Sequence, residues 1–264
     1  MAQKIAIIGG GNLGTAIALG LIKSDFADPT SITITKRNPT TLKAGLPKNL
    51  TITSDNIAAA AESQVIILAV KPFQVESVMQ TIAPVLTKKH LLISVITGVT
   101  LNDLREMAKT ELPVFRAMPN TAVAIGESMT CISYHNATDK QVQMVTKMFR
   151  TVGKVAVIDD KLMDAATVLG ACGTAFALRY VRANIQGGIE IGFDAATASL
   201  IAAQTVKGAA ELLLSNNTHP EQEIDKVTTP KGCTIVGLNE MEHRGFSSSL
   251  IRGVITSYKK IAKD

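Results

Sequence analysis

An isoleucine-rich run, Lys4-Ile5-Ala6-Ile7-Ile8, ends in Gly9-Gly10-Gly11-Asn12-Leu13-Gly14 and passes directly into Thr15-Ala16-Ile17-Ala18-Leu19-Gly20-Leu21. Few backbones accept that order of residues. The apolar run suits a strand covered on both faces, the glycines impose a tight turn, and the residues after them have helical spacing. Gly9, Gly11 and Gly14 fall at the G-x-G-x-x-G positions of a dinucleotide-binding turn. Gly9 permits the bend, Gly11 lets a pyrophosphate approach the backbone, and Gly14 lets helix and strand pack closely. Unpaired amides at the helix start, aided by the helix dipole, then face the phosphates. A purely structural turn can share this spacing. The strand before it, the helix after it and a second strand at Ser31-Ile32-Thr33-Ile34-Thr35 favour dinucleotide binding.

The second strand runs into Lys36-Arg37-Asn38. A site that prefers NAD places an acid near this point to bind the ribose 2′-hydroxyl. This chain has two cations there instead, and the planar donor fork of Arg suits a 2′-phosphate. A solvated basic turn is the plainer explanation. The position at the end of the second strand favours NADPH, with NADH possible as a poorer donor.

Further strands are expected at 50–53, 65–70, 91–95, 114–118, 129–134 and 155–158. Helices are expected near 74–85, at 101–108 with Thr100 as cap, and at 139–151, with a short one capped by the stretch Ser54-Asp55-Asn56. Val65-Ile66-Ile67-Leu68-Ala69-Val70 is unbroken apolar sequence, as in an interior parallel strand. The carboxyl end of such a strand borders the ligand crevice, which puts Lys71-Pro72 beside the cofactor.

From about Asp160 the periodicity becomes helical almost to the end. One long helix is expected from Lys161 toward Ile191, with Gly187-Gly188 as a possible break. Another, capped by Asp194, runs toward Leu214, shorter ones start at Pro220 and Thr234, and Ser247 caps the last. The predicted organisation is an α/β domain over 1–159 and an all-α domain over 160–264. The stretches 165–178 and 195–214 are apolar on more than one face. A helical domain of this size can hardly bury both alone, so a homo-oligomer, a dimer or an assembly of dimers, is expected.

Composition narrows the classes further. Of 264 residues, 46% are hydrophobic and 19% charged, a globular balance. No unbroken apolar run approaches the ~18 residues of a membrane span. The apolar start is cut by glycines and lacks a signal-peptide cleavage site, so a cytoplasmic protein without membrane contact is expected. Cys131, Cys172 and Cys233, with four scattered histidines, offer neither a disulfide framework nor metal-ligand spacing, and no metal is expected. Net charge is +5, but the cations are dispersed and there is no Trp, which argues against nucleic acid.

In the second half, Thr228-Thr229-Pro230-Lys231-Gly232-Cys233-Thr234 is a Pro/Gly loop running into a helix start. Free amides of Gly232, Cys233 and Thr234 could receive a small carboxylate, although an ordinary capped turn reads the same way.

Taken together, the stretches 8–14, Val70-Lys71-Pro72, Arg116-Ala117-Met118-Pro119-Asn120-Thr121, Gln204-Thr205-Val206-Lys207-Gly208-Ala209-Ala210, the 227–234 loop and Gly237-Leu238 give a resemblance over nearly the whole chain. It resembles the Δ1-pyrroline-5-carboxylate reductase family. The resemblance implies a Rossmann α/β domain followed by an all-α dimerisation domain, NAD(P)H as hydride donor and 1-pyrroline-5-carboxylate as acceptor. It places cofactor contacts on Gly9, Gly11, Asn12, Leu13, Gly14, Lys36, Arg37, Asn38, Asn56, Ala69, Val70 and Lys71. It places the substrate carboxylate on Gly232, Cys233 and Thr234 in the loop that starts at Thr229, with the Thr234 hydroxyl toward the ring nitrogen as the catalytic contact. Two stretches depart from the family pattern. The family's Ser-Pro-Gly-Gly-Thr-Thr is here Thr229-Pro230-Lys231-Gly232-Cys233-Thr234, and its Ser-Gly-Ser-Gly-Pro-Ala-Tyr is here Gly170-Ala171-Cys172-Gly173-Thr174-Ala175-Phe176. These departures leave two rivals: a related imine or deazaflavin reductase on the same scaffold, and a catalytically silent NADP(H)-binding protein. A hydroxyacid dehydrogenase would carry a catalytic Lys in the first long helix of the second domain, and 165–178 has none.

Overall fold

The computed structural model describes residues 3–42 and 46–262. The chain divides into two compact units, Met1–Ala171 with Ile261–Asp264, and Cys172–Lys260.

The first unit is built on an eight-stranded sheet. Its strands are β1 (Ile5–Ile8), β2 (Ile32–Thr35), β3 (Thr51–Thr53), β4 (Val65–Leu68), β5 (Leu91–Ser94), β6 (Val114–Met118), β7 (Ser128–His135) and β8 (Gly153–Val157), in spatial order β3-β2-β1-β4-β5-β6-β7-β8. The first six are parallel, β7 is antiparallel to β6, and β8 is parallel to β7. This is the doubly wound α/β class expected from the sequence. Every residue of β1 and β4 is buried, which is why these strands are continuously apolar rather than alternating. The pleat divides them between two cores. Ile5, Ile7, Val65 and Ile67 pack on one face with Ile17, Leu21, Phe115 and Phe149. Ile8, Ile66 and Leu68 pack on the other with Met79, Ile82, Leu92 and Leu104. Each such side chain contributes about 1.5–3 kcal/mol on burial.

The helices of this unit are α1 (Asn12–Lys23), α2 (Asn56–Ala61), α3 (Val75–Ile82), α4 (Leu101–Ala108), α5 (Asp139–Arg150) and α6 (Met163–Ala166). Asp55 caps α2, its Oδ1 accepting from the amides of Ile57 and Ala58 at 2.9 and 3.0 Å. Thr100 caps α4 in a reciprocal box with Asp103, as its sequence position suggests.

From Asp160 to Glu190 the chain is one helical stretch: a 3-10 turn, α6, a π turn at Thr167–Cys172, and α7 (Gly173–Glu190). It is long and apolar enough, by length and composition, to cross a membrane. The π turn is absent from the sequence reading, and Gly187-Gly188 does not interrupt α7.

The second unit continues with α8 (Ala195–Asn216), α9 (Pro220–Lys226), α10 (Cys233–His243) and α11 (Phe246–Ala262). Gly188 of α7 serves approach instead of termination, since a Cβ there would lie 3.2 Å from the Ala198 Cβ on α8. Asp194 caps α8 as expected. Two starts are corrected. α10 begins at Cys233, one residue before Thr234, because Gly232 takes the N-cap conformation. α11 begins at Phe246, so Ser247 lies inside the helix, and its hydroxyl donates to Glu242 Oε1 at 2.6 Å.

Candidate functional site

Strand order reverses between β1 and β4, and in open α/β sheets ligands bind beyond the carboxyl ends of strands at such a point. The segment after β1 is the glycine turn. Gly9 has φ +119°, and a Cβ there would stand 2.5 Å from the Ala69 carbonyl oxygen just past β4. A Cβ on Gly14 would collide with the Gly9 carbonyl. At Gly11 nothing lies within 4 Å of where a Cβ would sit. Two of the glycines are therefore required by packing, while the third leaves space open to a ligand.

Gly11 is the N-cap of α1 and supplies no side chain to its amides. The amides of Asn12, Leu13 and Gly14 have no hydrogen-bond partner among the described residues, so the helix start presents donors to an anion. The amides of Gly9 and Gly10 both donate to the Thr35 carbonyl, at 3.2 and 2.7 Å, tying the turn to the end of β2. A cleft of about 330 Å³ opens here, lined by Gly10, Gly11, Asn12, Thr15, Ala16, Leu19, Lys36, Thr41, Leu42 and Ala124.

The structure thus brings Gly11, Asn12 and Lys36 together at one cleft. Lys36 Nζ donates to the Thr41 carbonyl at 3.0 Å, which holds the ammonium at the cleft wall. Arg37 is exposed and makes no hydrogen bond or ion pair among the described residues. Asn38 caps the 3-10 turn Pro39–Thr41, its carbonyl accepting from Thr41 Oγ1 at 2.8 Å. Asn56 opens α2, half-buried, and does not line the cleft. Ala69 and Val70 are half-buried, and Lys71 and Pro72 exposed, along the edge that follows β4. Gly9, Leu13, Gly14 and these four residues frame the turn without lining the cleft itself.

The second candidate stretch lies in the helical unit. The Gly232 amide donates to the Thr229 carbonyl at 3.0 Å, closing a turn into α10. A Cβ on Gly232 would come within 2.5 Å of Thr229 Oγ1 and 3.0 Å of its carbonyl oxygen, so glycine lets the turn close tightly. Lys231 sits at φ +61°, a left-handed conformation costing a non-glycine residue about 1 kcal/mol. The amides of Cys233 and Thr234 have no partner among the described residues. Thr234 is half-buried and Cys233 exposed. The expectation of three free amides is corrected to two, because the Thr229 carbonyl takes the Gly232 amide to close the turn.

One constellation was given no role by the sequence reading. Arg116 lies in the middle of β6 with 3% exposure. Its Nη1 meets Asp160 Oδ1 at 2.9 Å and its Nη2 meets Asp164 Oδ1 at 3.5 Å, while Ser133 Oγ donates to Asp160 at 2.7 Å. A cation inside an apolar strand demands a partner. The acids at 159, 160 and 164 were the available signal.

Comparisons with known proteins point to one family. The family described as "Pyrroline-5-carboxylate reductase dimerisation" matches residues 160–264, and "NADP oxidoreductase coenzyme F420-dependent" matches residues 4–98. The chain is 40% identical over 277 residues to pyrroline-5-carboxylate reductase 2 of Dictyostelium discoideum, covering 99% of this chain and 93% of that one. It is 43% identical to reductase 1 of the same organism over 98% of its length, but spans only 49% of that longer protein. Among solved structures, pyrroline carboxylate reductase of Plasmodium falciparum with NADP bound superposes at TM-score 0.90. It has 27% identity and covers 98% of this chain and 97% of that one.

Proposed function

Because this chain belongs to the pyrroline-5-carboxylate reductase family, we infer that it reduces the C=N bond of 1-pyrroline-5-carboxylate to give L-proline, the last step of proline synthesis. It is an NADPH-dependent oxidoreductase and a homo-oligomer working in the cytoplasm on a small cyclic imine. The observation that carries this reading is the 40% identity maintained over nearly the full length of both chains, covering the glycine turn and the 229–234 loop alike.

The residues present suit the cofactor. Gly11 leaves its space open and the amides of Asn12, Leu13 and Gly14 stand free for the pyrophosphate. Lys36 and Arg37 stand at the end of β2, where a 2′-phosphate needs cations. When bound, NADPH supplies the hydride. The remaining work of the chain is orientation and proton placement. The amides of Cys233 and Thr234, which have no partner among the described residues, hold the substrate carboxylate. The Thr234 hydroxyl orients the ring nitrogen, whose iminium form is the electrophile and which becomes a secondary amine as the C=N π electrons settle on it. No strong acid is required, because the imine nitrogen picks up its proton before reduction.

Thr234→Ala tests this assignment. Loss of a contact strongest in the transition state should lower kcat by roughly tenfold to a thousandfold, with a smaller change in KM. NADPH affinity should stay unchanged and Thr234→Ser should recover most activity. Reduction at the parent rate by Thr234→Ala would remove this loop from the reaction.

A further inference from the structure

The motif Arg116-Ala117-Met118-Pro119-Asn120-Thr121 is only partly explained by the Arg116 ion pairs. Asn120 stands just past β6 and uses both ends of its carboxamide. Its Oδ1 accepts from the Ala122 amide at 3.0 Å, capping the 3-10 turn Thr121–Ile125. That turn supplies Ala124 to the wall of the cofactor cleft. Its Nδ2 donates to the Gly170 carbonyl at 3.1 Å, fifty residues away in the π turn. Its own amide donates to Ser128 Oγ at 3.1 Å, which fixes the backbone from which the side chain projects. One side chain therefore bridges the turn that walls the cleft and the π turn.

The two halves of the π turn are held differently. Thr167 and Val168 are buried, and Thr167 Oγ1 donates to the Met163 carbonyl at 2.8 Å. In the other half, Leu169 is 73% exposed and nothing lies within 4 Å of a Cβ placed on Gly170. There the Asn120 amide reaches in from outside the helix. Register at this point has consequences, because one extra residue in a turn advances everything after it in the helix by about 100°.

We propose that Asn120 is a positioning residue for the reduction: its carboxamide locks the π turn into register with the wall of the cofactor cleft. This rests on the reductase reading above, since hydride transfer depends on the alignment of donor and acceptor and loses up to about a hundredfold for a displacement near 1 Å.

Asn120→Asp and Asn120→Ser separate this role from simple capping. Both keep an acceptor for the Ala122 amide, because Asp and Ser are good N-caps, and both remove the donor to Gly170. Ser does so without adding charge, which keeps the test decisive should the Asp protein fail to fold. Amide hydrogen exchange over 167–173, measured without substrate, should accelerate at least about tenfold in the variants while the sheet strands keep parental protection. kcat should fall at least about tenfold with KM for NADPH little changed. Parental exchange in the Ser variant would overturn the proposal, and so would faster exchange with parental kcat. If the parent protein itself reduces no pyrroline carboxylate, the reductase reading falls, and the exchange data alone then decide whether Asn120 holds the turn.

Discussion

Strands β1 and β4 are wholly apolar and helices α7 and α8 carry large apolar side chains among polar ones, yet the chain fully buries only the strands. Each residue of the two strands is buried within its own unit. Among the described residues of the second unit only Ala198 and Ala202 are buried, while Leu178, Ile191, Leu200 and Leu214 are 62%, 78%, 71% and 65% exposed. Single exposed apolar side chains are ordinary, but a whole set on long helices marks a surface meant to be covered. The first unit completes its own core and has side chains to spare for a cofactor. The second completes its core only with another copy, which fits the dimerisation family that matches 160–264.

The largest effect expected from this contrast is on assembly. Leu200→Lys places a charge on a face taken to be covered by the second copy, and an uncompensated buried charge costs several kcal/mol. Sedimentation should show the parent as an oligomer with no folded monomer, and the variant dissociated and poorly folded. A compact, stable 28 kDa parent would erase the contrast.

A smaller effect belongs to the first unit. Gly14→Val must push apart the Gly9 carbonyl, Ile7 Cγ2 and Ala69 Cβ, the last two at 3.1 and 3.2 Å from a bare Cβ. Overpacking of this kind costs about 1–3 kcal/mol and should lower both Tm and NADPH affinity. Normal binding by a normally stable variant would show that the turn is looser than its contacts indicate.

Arg37→Ala should have the most selective effect. Removing a charge-assisted contact to the 2′-phosphate should weaken NADPH binding by ~1–3 kcal/mol and leave NADH nearly untouched. Calorimetric titration with both cofactors checks this, and equal losses would take Arg37 off the phosphate.

The same contrast explains what could be read from the sequence. The glycine turn was legible because Gly9 and Gly14 answer to steric demands and Gly11 keeps space open, and β4 because continuous apolar sequence has few other uses. Thr100 and Asp194 announced their helices through local chemistry that needs no tertiary partner. The π turn was not legible, since an extra residue in one turn leaves no mark on a run that is apolar all round. Ser247 was a suitable cap in composition, but Gly245 at φ +80° ends the preceding turn and lets α11 start at Phe246. The partners of Arg116 lie more than forty residues away, and only the fold joins them. At the candidate site, the residues of the 229–234 loop alone read equally as an ordinary capped turn, and the family resemblance gave the loop its role. The left-handed conformation of Lys231 came from the backbone alone.

The central claim is that this chain turns a cyclic imine into proline at the expense of NADPH. The purified oligomer should be mixed with NADPH and 1-pyrroline-5-carboxylate, following NADPH oxidation optically and proline by amino-acid analysis. The account predicts one proline formed per NADPH oxidised, with no oxidation when the imine is left out. NADPH that binds but is not consumed, or is consumed without proline appearing, would contradict it.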